Sequence, residues 1–553
     1  MGNLSAHRPA ESPSPGSSMS DEARMSRLGY NQELRRVLGF FENFGIAFCY
    51  ISPVVGIYSL FVLGLGSGGP AYLWLMFIAL AGQMLVALTF AEMGSSFPLA
   101  GALFQWAKNL VGPGYGWFVG WAYGWALLIT VAAVDTGVVG YAAALINKYF
   151  GTHFTSVNPN TVLLFTLGMI AVQTIFNIVG IRLSGLISKF GVIVEVVLTF
   201  GIALLLGIQG FHHGLGYLFS TQGVEFAKSN PLGVDFGGNW LLGAALVAVL
   251  AHVYIFYGFE SAGDVAEEVM NASRRVPRAI VSSLAVAGFT SFVFIGALVL
   301  AIPASDGGFT KAASLTGGIG YILGANVPAA AIQDIILLLV VFSFFSCGTA
   351  IQAAAARLIF SYSRDRALPA SGTLRIVSPR FQTPVSALIL AAIVPTVFAL
   401  LVHFTPTQPI QVGFITYPAN VNALFILVSF GVSGIYLAFQ MVVLAGLIAR
   451  LRGWRPDGDF TLGSWAIPVY VLALVYGVGM LLNILVPTGI NSPKGLLFNY
   501  DWMTLVVVIV IMLIGAIYFL ATKPALRIAQ SAQDRSAATL GAAAGGGGAA
   551  PPP

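Results

Sequence analysis

Residues 44–65 read FGIAFCYISPVVGIYSLFVLGL, an apolar run interrupted near its centre by Ser52, Pro53 and, three residues on, Gly56. Proline has no backbone N–H and its ring crowds the preceding helical turn, so the pattern predicts a helix broken in mid-course. A second run, LLGAALVAVLAHVYIFYGFESAGDVAEE over residues 241–268, places Gly258 between aromatics and follows it with Glu260. Glycine costs a helix interior about 1 kcal/mol relative to alanine, which softens this site too. Each break lies inside a run long enough to span about 30 Å of hydrocarbon.

The rest of the chain has the same character. It holds 553 residues, of which 57% are hydrophobic and 8% charged, whereas soluble domains carry about 25% charged residues. So few charges cannot cover a water-soluble surface, and the expectation is an all-α integral membrane protein. Apolar segments fall at 38–64, 71–97, 115–147, 160–180, 184–211, 240–266, 278–302, 328–362, 384–404, 415–449, 465–487 and 499–521, which predicts twelve crossings. Segment 1 has no small-residue cleavage site and reads as a retained helix, not a signal peptide. With twelve crossings, 22 of the 26 Lys and Arg fall on the side of both chain ends, and only Lys148, Lys228, Lys311 and Lys494 on the other. The positive-inside rule then puts both ends in the cytoplasm of a cell membrane. The net charge of +5 follows from this topology and gives no case for nucleic acid. Cys49 and Cys347 both fall in apolar segments and read as packing residues, with no metal site or disulfide framework in their spacing.

Position gives the two breaks their meaning. Segments 1 and 6 each begin a block of five, the arrangement of transporters built from inverted repeats, in which interrupted helices hold substrate and ions near the midplane. The expected organisation is a disordered tail over 1–37, a ten-helix five-plus-five core over 38–452, two added helices over 453–522, and a second disordered tail over 523–553.

Two strings, FYGFESAGDVAEEVMNASRRVPRAIVSS (residues 256–283) and FAEMGSSFPLAGALFQWAKNLVGPGYGWFVGW (residues 90–121), closely resemble the amino acid-polyamine-organocation permeases. The likeness is greatest to the branch that carries amino acids, choline and 4-aminobutyrate, and it covers about residues 35 to 525. It implies a leucine-transporter-like fold working by alternating access. It also implies that backbone N–H groups of break 1 receive a substrate carboxylate at Val54, Val55 and Gly56, beside Ser52, while the ammonium end lies around 254–258, with Tyr254 closing over it and Tyr257 and Gly258 alongside. The sequence departs from the common pattern by placing valines and a proline where small residues usually stand.

Buried carboxylates are the remaining functional signal, because an ionisable group at mid-membrane is costly and usually marks a pathway. Glu195 sits in VIVEVVLTFGIALLLG (192–207) of segment 5, where some relatives carry a lysine in place of a bound sodium ion; proton carrier, cation ligand and static hydrogen-bonded group are the three readings. Asp135 in segment 3 is a candidate contact for a substrate amine or a partner for a neighbouring helix. Glu260 matches a family carboxylate implicated in proton response and gating. Asp264, Glu267 and Glu268 are expected to form a surface ion-pair cluster with Arg274, Arg275 and Arg278. Glu42, Glu92, Asp334 and Arg357 read as structural, and so do His252 and His403. Ser343, Ser346 and Thr349 could supply oxygen ligands to sodium.

No GxxxxGK[ST], HExxH or GxSxG string occurs, so nucleotide-driven pumping and enzyme chemistry are not expected, nor is a cofactor. The reading is a permease for an amino acid or related small amine, coupled to protons as a symporter, with substrate exchange (antiport) as the alternative. A non-transporting sensor or an intramembrane enzyme is a distant third. The expected partners are that substrate, a proton and membrane lipid.

Overall fold

The computed structural model describes residues 19–545 apart from 157, 222–239, 242, 315–316, 404–407, 409, 413–414, 418–422 and 486–502. The helices are α1 (Asp21–Arg27), α2 (Phe40–Ile51), α3 (Pro53–Gly68), α4 (Tyr72–Ser96), α5 (Ala102–Leu110), α6 (Pro113–Gly137), α7 (Val139–Phe150), α8 (Pro159–Val179), α9 (Ile181–Gln209), α10 (Ala244–Val253), α11 (Ser261–Asp264), α12 (Ala272–Leu300), α13 (Gly308–Ala312), α14 (Gly318–Asn326), α15 (Ala330–Arg364), α16 (Ser371–Leu374), α17 (Val385–His403), α18 (Ala423–Leu451), α19 (Ala466–Leu485), α20 (Met503–Thr522) and α21 (Pro524–Gly545). A small antiparallel pair, β1 (Ile410–Val412) with β2 (Ile415–Tyr417), is the one sheet among the described residues. Among the described residues ten helices are long and apolar enough to cross a membrane, and the shorter apolar helices at Ala244–Val253 and Val385–Leu401 fall at segments 6 and 9. The chain is an all-helical, multi-pass membrane protein.

Segment 1 divides where the sequence marked it. Ser52 adopts a left-handed conformation (φ 38°), ends α2 and starts α3, with Pro53 in the first turn of the new helix, where a missing N–H costs nothing. Segment 6 stops at Val253, turns through Gly258 (φ 111°) and resumes at Ser261. Around this pair, α3 packs on α10, α2 lies between α9, α12 and α15, and α6 runs along α18.

The tails correct the sequence reading in part. Residues 19–37 and 524–545, expected to be disordered, hold α1 and α21. The Asp21 carboxylate accepts from the Ala272 and Ser273 N–H groups (2.6 and 3.2 Å) at the start of α12, satisfying donors that every helix N-terminus leaves open. Asp365, at the end of α15, accepts from Tyr30 (2.8 Å) and Lys108 (2.6 Å) and pairs with Arg535 of α21 (3.0 Å). Burial alone would push the Asp365 carboxyl up, but the Lys108, Arg535 and Arg364 cations outweigh it and hold it below the usual carboxylate range. Asp365 thus joins the segment that follows α1 to α21 on one face. Residues 1–18 and 546–553 of the expected tails, with Lys228 and Lys494, lie outside the described residues.

The charges read as structural all have partners on other helices or caps. Glu42 accepts from the Gly39 N–H (3.0 Å). Glu92 is bound by Arg450, the Leu462 N–H (2.7 Å) and the Tyr470 hydroxyl (3.1 Å), which fastens α19 to the core. Asp334 pairs with Lys148 (2.6 Å) at the opposite face. His252 sits 3.0 Å from the Tyr72 carbonyl and stacks on that ring, and His403 is 3.2 Å from the Pro159 carbonyl. Both cysteines are free, Cys49 against the Ser188 carbonyl (3.1 Å) and Cys347 against that of Tyr50 (3.5 Å).

Candidate functional site

The left-handed turn at Ser52 turns its side chain back over the first turn of α3, where its Oγ accepts from the Val55 N–H (3.3 Å). The same hydroxyl donates to Glu195 Oε1 at 2.8 Å, and the Val54 N–H points to Glu195 Oε2 at 3.4 Å. Glu195 thus crosses from α9 to cap a helix N-terminus, where the helix dipole favours an anion. The Gly56 N–H is held by the Ser52 carbonyl (3.0 Å). Of the four residues expected at a substrate carboxylate, Ser52 and Val54 face Glu195, while the Val55 and Gly56 N–H groups have acceptors within the break itself.

The two breaks interlock. A Cβ on Gly56 would lie 2.6 Å from Ile255 Cγ1, and one on Gly258 would lie 2.8 Å from the Tyr50 ring and 2.9 Å from the Ile51 N. Tyr257 meets Tyr50 edge to face, ring centroids 5.9 Å apart. Tyr257 and Gly258 therefore meet Tyr50 at one junction, with Tyr254 at the end of α10 just before it. Gly258→Ala must put an L side chain at φ 111° and push against backbone in segment 1. Such conformations cost about 1–3 kcal/mol in strain alone, so we expect a clear drop in melting temperature and loss of transport, measured on purified protein and in vesicles.

On the other side of the junction, Glu260 Oε2 accepts from the Gly258 N–H (2.9 Å) and Oε1 from the Tyr123 hydroxyl (3.1 Å). The same hydroxyl is 2.8 Å from Asp264 Oδ2. All three residues are fully buried. The two acid groups are held within about 6 Å of each other, where two full charges would repel by about 3 kcal/mol at an effective dielectric constant of about 20.

The expected surface ion-pair cluster is corrected by the structure. Asp264 faces Tyr123, Glu267 pairs with Arg364 (2.5 Å), and Glu268 with Arg357 (2.8 Å); every one of these side chains is buried, and the cations come from α15 instead of from Arg274, Arg275 and Arg278. The fold brings the end of α15 across the short α11, so the acids meet cations about 90 residues away. Gln173 of α8 donates to Asp135 Oδ1 at 2.6 Å, and Asp135 Oδ2 has no hydrogen-bond partner among the described residues. Ser343 and Thr349 donate to carbonyls of their own helix, Leu339 (3.0 Å) and Phe345 (2.7 Å), and Ser346 lies beside Cys49 and Gly191. Sequence reasoning missed Tyr123 and Gln173. Tyr123 lies in an aromatic-rich run and Gln173 in an apolar one, and neither setting marks a carboxylate partner.

Comparison with known proteins agrees with this architecture. A family model described as amino acid permease matches residues 38–528. The GABA-specific permease of Saccharomyces cerevisiae is 27% identical over 501 residues, covering 87% of this chain and 81% of the yeast protein. Amino-acid permease BAT1 of Arabidopsis thaliana is 25% identical over 486 residues, covering 83% and 87% respectively, and its homolog in Oryza sativa subsp. japonica is 25% identical with 84% and 88% covered. The family match runs over most of the chain, and the chain belongs to the amino acid permease family of the amino acid-polyamine-organocation superfamily.

Proposed function

We propose that this permease carries an amino acid or related small amine by alternating access, driven by protons, across the cytoplasmic membrane with both chain ends inside. The observation that carries the reading is the Glu195 carboxyl seated on the break of segment 1. An ionised Glu195 holds Ser52 Oγ and the Val54 N–H; a protonated one has less hold on the Val54 N–H and loosens the hinge between α2 and α3. A proton and the conformation of the break are then linked, and linkage of this kind is reciprocal. A substrate carboxylate arriving at Val54 competes with Glu195 for the same donors, so its binding favours protonation of Glu195, which is the sign required of a symporter.

One observation favours a substrate held chiefly by its amine. The donors of break 1 already have acceptors within the chain, while Tyr50, Tyr254 and Tyr257 cluster at the junction, and ring faces attract cations by about 0.5–2 kcal/mol. Uptake of labelled amino acids, 4-aminobutyrate, putrescine and ethanolamine into proteoliposomes, with and without an inward proton gradient, tests both points. Gradient-driven accumulation of one compound is expected. Exchange with preloaded compound and no response to the gradient would replace the symporter by an antiporter.

A further inference from the structure

Tyr123 has one hydroxyl hydrogen and two carboxyl neighbours. Its oxygen is 3.1 Å from Glu260 Oε1 and 2.8 Å from Asp264 Oδ2, and it can donate to only one of them. The other contact is a hydrogen bond only if that carboxyl is protonated and donates to the tyrosine oxygen. With both acids ionised, one buried oxygen would face the phenol lone pairs with no hydrogen between, and buried polar atoms are rarely left so. Asp264 Oδ1 has no hydrogen-bond partner among the described residues.

Among the described residues no cation forms an ion pair with either acid. From α2 the facing group is Tyr50, from α6 Tyr123 itself, and the α15 cation Arg357 is committed to Glu268. From α5, Trp106 packs on Gly263, and Gly101 just before it donates its N–H to the Asp264 carbonyl (3.2 Å). From the N-terminal turn of α12 come Arg274, Arg275 and Arg278, none of which forms an ion pair with Asp264 or Glu260 among the described residues.

We infer that Glu260, Tyr123 and Asp264 form a proton relay holding one proton between two acids, with Asp264 a second proton-holding residue of the transport machinery. The inference rests on the proton-coupled reading above. In one state Asp264 is protonated and donates to the tyrosine oxygen, while the tyrosine hydrogen lies on Glu260. A concerted shift of both hydrogens leaves Glu260 protonated and Asp264 ionised, and the tyrosine neutral before and after. The proton thereby moves one helical turn, from the Asp264 side to the break of segment 6, and the reverse shift returns it.

Infrared titration of the purified full chain in liposomes, with no substrate added, reads the proton directly. The carbonyl stretch of protonated carboxyl groups is expected to persist at neutral pH and to lose the equivalent of one carboxyl in Asp264→Asn, because Tyr123 then donates to a lone, ionised Glu260. Tyr123→Phe keeps the ring and removes the relay, and is expected to shift the titration of the same band; it carries the test if Asp264→Asn does not fold. Spectra of both variants that superimpose on the wild type at every pH would overturn the relay. Proton-driven uptake of 4-aminobutyrate and putrescine is followed in the same liposomes. If uptake ignores the gradient but the band behaves as stated, the symporter reading fails and the relay stands; the converse pair of results sinks the relay alone.

Discussion

Arg357→Met is expected to be the most destabilising of the single changes considered, by about 3–5 kcal/mol, the usual cost of leaving one partner of a buried ion pair alone. Arg357 and Glu268 are both 1% exposed and meet at 2.8 Å, so water cannot take over. Burial already pushes the Glu268 carboxyl up against the opposing pull of Arg357, and without the guanidinium it rises further. A carboxyl whose pKa is higher folded than unfolded favours folding at low pH and loses that contribution as pH rises through the folded value. The deficit of Arg357→Met should therefore be larger at alkaline than at mildly acidic pH. Adding Glu268→Leu removes the stranded acid, and the double variant should regain most of the lost melting temperature in detergent. A double variant as unstable as the single would show that Arg357 acts through packing and not through its charge.

The second large effect is on transport. Glu195→Gln keeps the shape of the side chain and an oxygen that can accept from Ser52, but it cannot take a proton. Coupling energies of about 1–3 kcal/mol correspond to about 5- to 150-fold changes in equilibrium, and we expect the ratio of gradient-driven to gradient-free uptake to fall by about tenfold in this variant. A structural role would lower both arms of that ratio together. An unchanged ratio and an unchanged pH profile would remove Glu195 from the coupling mechanism and leave it as a cap on α3.

Much of the fold was legible because its causes are local. Proline at residue 53 has no N–H to give, wherever the rest of the chain lies, and a run of apolar residues has one low-energy solution in hydrocarbon. The breaks at Ser52 and Gly258 fell where the sequence placed them, and the twelve apolar segments reappear as ten long and two shorter helices. Order in the tails was not legible. Residues 19–37 are mostly polar, and contacts with residues distant in sequence, among them Asp21 on α12, Tyr30 on Asp365 and Arg24 on Asp457, give them a structure.

The acid groups divide in the same way. Their presence at mid-depth could be read, and so could their cost; their partners could not. Glu195 finds Ser52 143 residues away, Asp264 finds Tyr123 141 residues away, and Glu267 finds Arg364 instead of the arginines close to it in sequence. The sequence by itself determined that the chain crosses a membrane and where its helices break, since hydropathy and backbone chemistry act residue by residue. Only the tertiary structure decided which carboxyl caps which break and which tyrosine stands between two acids, because in a medium without water each buried charge must be satisfied by whatever group the packing of distant helices brings within hydrogen-bond reach.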